Sequence, residues 1–239
     1  MAIQAVLWDI DDTIFDYGTA DLTGMRNHLL QEGLPDGCDT VDQALEQWQE
    51  LTERHWARFA AGECGFEEQR RDRVRGLLGL PLTDDEADAW FGRHVVHFEA
   101  AWSLFPDTVP ALDLLAADYR HAVLSNSAFA HQDRKLRTLG VRDRFEVLLC
   151  AAELGVSKPE AAAFLAACEA LALPPHEVVY VGNEPDIDAR GAMEAGLAGV
   201  WLDRRGLGGR PELTRITGLA ELPGLLRGDT RFGAVSRIG

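Results

Sequence analysis

Residues 5–8 read Ala-Val-Leu-Trp, and the chain runs from them straight into Asp9, Asp11, Asp12 and Asp16. A short apolar run that stops at carboxylates suits a central parallel strand, buried on both faces, whose C-terminal end opens into a crevice. Asp9 and Asp11 are two residues apart, so an extended chain points them to the same side, with the Thr13 hydroxyl just beyond. Carboxylates that close repel each other unless a cation or a shared proton holds them. A hard divalent cation such as Mg²⁺ is the simplest answer, since it takes oxygen ligands, uses one or two protein carboxylates and leaves room for a phosphate oxygen. One aspartate could then attack phosphorus while the other moves the proton. Alone, the same triplet also reads as a solvated turn or an acidic helix start.

Strand character then vanishes between Tyr17 and about Ser103. Thr40-Val41-Asp42-Gln43 and Thr83-Asp84-Asp85-Glu86 both have the form of capping boxes ahead of runs with helical periodicity, and Gly79 suits a helix stop. Four or five helices, enough for a small bundle, are expected here as an insert after the first strand. Beyond Phe105-Pro106-Asp107 the pattern alternates. Apolar runs at 121–124, 145–150, 178–181 and 199–202 read as strands, separated by helical segments, with a closing helix over 219–226 and a loose tail. Strands alternating with helices imply right-handed crossovers and an α/β fold with a doubly wound parallel sheet. Residues 1–16 and 104–239 form the expected Rossmann-like core, and residues 17–103 the inserted helical cap.

Charge narrows the partners. A formal net charge of −16 argues against nucleic acid or an anionic membrane, because phosphate backbones are held by basic surfaces. Such a field also repels anionic substrates, so a phosphate site must be locally positive. No apolar run approaches the roughly 18 residues of a membrane span, and no basic segment leads into a long apolar stretch at the N-terminus, which suggests a cytoplasmic protein. Cys38, Cys64, Cys150 and Cys168 are scattered, as reduced structural thiols would be. Arginine is plentiful, but Lys135 and Lys158 are the only lysines, which draws attention to each.

Polar residues follow four expected strand ends in one order: Asp9 and Asp11, then Ser125-Asn126, then Lys158, then Asn183 to Asp188. In a doubly wound sheet such ends converge on one edge. Ser125 could donate to a phosphate oxygen, Lys158 could offset the repulsion between an aspartate and a phosphate, and Asp188 with Asn183 or Glu184 could complete a metal's oxygen shell. Singly, each has a plainer reading: a helix N-cap, a solvated Lys-Pro loop, an acid compensating a helix dipole. All four in order are harder to dismiss.

The pieces together resemble the haloacid dehalogenase (HAD) superfamily over nearly the whole chain. Asp9-Ile10-Asp11-Asp12-Thr13 looks like its first motif, Ser125 its second, Lys158-Pro159 its third, and Val181 to Asp188 its fourth, while the helical insert resembles a C1-type cap. The resemblance implies Asp9 as nucleophile and Mg²⁺ ligand, and Asp11 as general acid/base with its carbonyl on the metal. It implies Ser125 and Lys158, with Asn126, on the phosphate, and Asp188 at the metal directly or through water. Asn183 stands where the family usually has Asp, which keeps an oxygen ligand and removes a charge. The expected activity is hydrolysis of a small phosphorylated metabolite by a monomer or homodimer. Phosphomutase-type transfer or a catalytically weakened regulatory protein are the alternatives.

Other candidates have weaker support. His94 and His97, three apart on a helix, could meet as metal ligands, but the surface of a cap helix is the simpler reading. Trp48, Trp56, Trp90 and Trp102 suggest cap core, and Arg70, Arg71, Arg73 and Arg75 a solvated face. Gly62 and Gly65 flank a turn that could let a cap loop close over substrate.

Overall fold

A computed structural model describes residues 2–228. It separates into two compact units, one holding the residues up to Asp16 and from Ser103 onward, the other Tyr17–Trp102. In chain order, β1 (Ala5–Trp8) precedes the helices of the second unit, α1 (Tyr17–Glu32), α2 (Val41–Ala60), α3 (Phe66–Leu78) and α4 (Asp84–Ala100). The first unit then continues through α5 (Thr108–Leu115), β2 (Arg120–Ser125), α6 (Phe129–Thr138), β3 (Val147–Cys150), α7 (Ala151–Leu154) and α8 (Ala161–Leu171). It ends with β4 (Val178–Gly182), α9 (Gly191–Glu194), β5 (Ala198–Leu202), β6 (Thr214–Ile216) and α10 (Leu222–Gly228). The tail expected after the closing helix falls on 229–239, outside the described residues.

The six strands form one parallel sheet in the order β3-β2-β1-β4-β5-β6. β1 is fully buried because Ala5, Val6, Leu7 and Trp8 all face core on one side or the other, as the unbroken apolar run requires. The chain winds outward from β1 in one direction through β2 and β3 and in the other through β4, β5 and β6. The reversal falls between β1 and β4, and a crevice opens there at the carboxyl ends of the strands. One sheet face packs on alanine-rich α8, where small side chains let Phe164, Leu171 and Tyr180 fill the gap.

Two features depart from the sequence reading. β6 is a sixth strand, and its three residues, Thr-Arg-Ile, are too few and too mixed to stand out as an apolar run. The segment Pro185–Arg190 winds as a π-helix before α9, so the chain following β4 is wider than an ordinary helix start.

In the second unit both capping boxes form: Thr40 Oγ1 accepts from Gln43 N at 3.2 Å and Thr83 Oγ1 from Glu86 N at 3.3 Å. Gly79 ends α3 in the left-handed region at φ 65°. Trp48 and Trp90 are buried in the bundle core, whereas Trp56 is 38% exposed on Phe59 and Phe66. Arg71 and Arg75 lie at the surface in ion pairs with Asp84 and Asp88, but Arg73 is buried over the Trp48 and Phe91 rings rather than solvated. A Cβ at Gly24 would lie 2.5 Å from the Phe98 Cα, so only glycine permits this approach of α1 to α4. His94 is not on a helix surface: it is buried, with Nε2 3.5 Å from Asp21. Among the described residues no three His, Cys, Asp or Glu side chains are grouped to hold a metal.

His28, buried with neither ring nitrogen hydrogen-bonded, is pushed down to about 4 by burial and by neighbouring His94 and His97. Its folded-state value lies below the unfolded one, so the unfolded chain binds the proton first as pH falls from about 6.5. Stability is therefore complete above about 6.5 and drains toward pH 4, by about 2 kcal/mol from this residue. His28→Leu should flatten the fall in Tm between pH 7 and 4.5, measured by thermal unfolding; an unchanged slope would remove His28 from the account.

Candidate active site

The ladder continues past β1, Asp9 N donating to Val181 O at 2.9 Å, and then the chain doubles back. The amides of Thr13, Ile14 and Phe15 all donate to the carbonyl of Ile10, at 3.2, 3.0 and 3.0 Å. Asp12 takes φ 57°, a left-handed conformation that aspartate tolerates better than a branched residue. This turn carries Thr13 Oγ1 back to 3.0 Å from Asp9 Oδ2 and 3.3 Å from Asn183 Oδ1. It is braced from outside by Arg204, which donates to Thr13 O at 2.8 Å, pairs with Asp107 and lies 3.8 Å over the Phe105 ring.

Lys158 comes from a loop far along the chain, yet its Nζ is 2.8 Å from Asp9 Oδ1, 2.8 Å from Asp188 Oδ1 and 2.6 Å from the Tyr180 hydroxyl. All four side chains are buried. Asn126 fixes the lysine's main chain, its amide donating to Lys158 O and accepting from Lys158 N, both at 2.8 Å. Each amide atom of Asn126 thus makes one bond to the Lys158 main chain, and its second N–H is the one its side chain could turn to a phosphate oxygen. Asp188 accepts from Lys158 on one oxygen and from Glu184 N at 2.9 Å on the other. The missing side chain at Gly182 makes room, since a Cβ there would run into that carboxylate.

Asp11 is placed differently. Its Oδ1 is paired with Lys135 Nζ, and its Oδ2 accepts from Gln132 Nε2 at 2.9 Å. Gln132 also donates to Ser125 Oγ at 3.0 Å. The crevice thus unites Asp9, Asp11, Ser125, Lys158, Asn183 and Asp188. It also holds three residues to which the sequence reading gave no role. Lys135 was singled out by scarcity, and Tyr180 is the one polar side chain in the apolar run of β4, but nothing local marked Gln132.

Burial first, then the charges of Asp188 and Asp11, raise Asp9 to about 7 against the pull of Lys158. Burial opposes the charge of Lys158, but Asp188 and Asp9 beside it outweigh that and hold the ammonium above its ordinary value. Tyr180, raised by burial and by the same two carboxylates, stays a neutral phenol that passes a 2.9 Å hydrogen bond to Leu124 O. Two buried carboxylates thus share one cation, with the amide oxygen of Asn183 facing the same threonine. An all-oxygen donor set carrying surplus negative charge fits a hard divalent cation.

The family model described as haloacid dehalogenase-like hydrolase matches residues 3–196. The glyceraldehyde 3-phosphate phosphatase of Methanopyrus kandleri is 30% identical over 205 residues, 84% of each chain. Among solved structures, the magnesium-bound HAD-hydrolase YfnB of Bacillus subtilis has a TM-score of 0.81 at 20% identity, covering 95% of this chain and 99% of that one. The 2-haloacid dehalogenase of Pseudomonas syringae pv. Tomato has a TM-score of 0.65 at 26% identity, covering 94% and 98%.

Proposed function

From a chain that belongs to the haloacid dehalogenase-like hydrolases, we infer a phosphatase that cleaves a small-molecule phosphate monoester through an aspartyl-phosphate on Asp9, with Mg²⁺ as cofactor. The observation that carries this reading is Lys158, whose ammonium sits 2.8 Å from both Asp9 and Asp188. A cation there lets an anionic nucleophile meet an anionic phosphate.

Lys158 and Ser125 hold phosphoryl oxygens. A carboxylate oxygen of Asp9 attacks phosphorus, the bond to the substrate's alkoxide breaks, and Asp11 gives that oxygen its proton. Water then attacks phosphorus, Asp11 takes its proton, and the bond from Asp9 to phosphorus breaks, which restores both aspartates. Asp9, Asn183 and the Asp11 carbonyl, with Asp188 beside them, would hold Mg²⁺, which would supply positive charge to the phosphoryl group. Asp11 also favours an alkoxide over a halide leaving group, because only the alkoxide needs a proton. The phosphatase named among the relatives supports a small phosphorylated metabolite as substrate.

Hydrolysis of an aryl phosphate with and without Mg²⁺ tests the reading, and BeF₃⁻ should label Asp9. Absence of turnover at every Mg²⁺ concentration would overturn it, and release of an isomerised sugar phosphate in place of free phosphate would favour a mutase. Asn183→Asp adds a carboxylate to the oxygen set and should lower the Mg²⁺ concentration for half-maximal activity by about tenfold. An unchanged metal requirement would place Asn183 outside the metal shell.

A further inference from the structure

Gln132 and Lys135 stand three apart on α6 and therefore share a face, and that face is turned to Asp11. Both are buried, and Lys135 also lies 4.3 Å over the Phe15 ring, next to the turn that carries Asp11. The amide of Gln132 has two N–H bonds, one for Asp11 Oδ2 at 2.9 Å and one for Ser125 Oγ at 3.0 Å. Its orientation is not free, because a carboxylate accepts only from a donor and so fixes the nitrogen on this side. The consequence is a buried Oε1 without a hydrogen-bond partner, an unfavourable arrangement that local packing alone does not reward.

We propose that Gln132 is a positioning residue that sets the proton-transfer carboxylate of Asp11 and the phosphate-holding hydroxyl of Ser125 in register, with Lys135 as the fixed countercharge. This rests on the roles given above to Asp11 and Ser125. Because Ser125 Oγ accepts from Gln132, its own hydrogen is turned outward to a phosphoryl oxygen. Because each Asp11 oxygen is engaged by one donor, each keeps a lone pair for the leaving group or water, and the carboxylate cannot swing away. Its side chain remains 37% exposed, so this grip does not cover it. One amide thereby ties the position of the proton to the position of the phosphorus.

The test compares kcat/KM for phenyl phosphate, whose leaving phenolate needs a proton, with 2,4-dinitrophenyl phosphate, whose leaving group does not. Gln132→Leu should lose about 100-fold on the first and about tenfold or less on the second, the shared part reflecting Ser125. Loss of packing alone would lower both equally. Should the leucine variant not fold, as judged by circular dichroism, Gln132→Glu keeps the volume and turns a carboxylate on Asp11, with the same split expected. Equal losses on both esters overturn the inference while the phosphatase reading stands. A wild-type enzyme inactive on both overturns that reading and this one with it.

Discussion

Asp9→Asn should abolish phosphate release, with kcat down by at least about 10⁴-fold, because the variant has no oxygen able to form the acyl phosphate. The same variant should fold at least as well as the parent. Asp9 has a folded-state value raised from 3.8 to about 7 by burial and by Asp188 and Asp11. Between those values the folded chain keeps a proton that the unfolded chain has released, so stability falls as pH rises through that window. An asparagine carries no such dependence. In metal-free buffer at pH 7.5 its Tm should equal or exceed the parent's, while BeF₃⁻ labelling disappears. Near-normal turnover would remove Asp9 as nucleophile, and a collapsed Tm would make the lost activity uninformative.

Lys158→Met should damage both activity and stability. Its ammonium is the cation shared by Asp9, Asp188 and the Tyr180 hydroxyl, all buried. Removing one partner of a buried ion pair leaves uncompensated charge, which costs about 3–5 kcal/mol. In a protein of this size that lowers Tm by roughly 10 °C. Turnover should fall by about 10³-fold or more, since nothing then offsets the repulsion between Asp9 and phosphate. Adding Asp188→Asn to Lys158→Met should restore much of the Tm, because it removes one stranded carboxylate, and should restore none of the rate. Equal Tm values for parent and Lys158→Met would show that water reaches the two carboxylates and that the lysine does not control their charge.

The parallel sheet was legible because its strands are short apolar runs that end in polar residues, a pattern forced by burial on both faces. The helical insert was legible through its capping boxes, which satisfy orphan amides by local hydrogen bonds. β6 lacked such a signal, as its pairing depends on β5 rather than on its own three residues. The misjudged His94 and Arg73 show the same limit: helical periodicity does not say which polar residue the neighbouring helices enclose.

Within the site, sequence order sufficed for Asp9, Asp11, Ser125, Lys158 and Asp188, because a doubly wound topology gathers strand ends whatever the distance between them in the chain. Gln132 and Lys135 belong to a helix rather than a strand end, and only the approach of α6 to the β1 turn shows which acid they grip. Tyr180, hidden among valines, gains its role from the lysine that lands on it. Chemical identity at strand ends is written along the chain; the contacts that aim it join different segments, some over 100 residues apart such as Asp11 and Gln132, and exist only once the chain has packed.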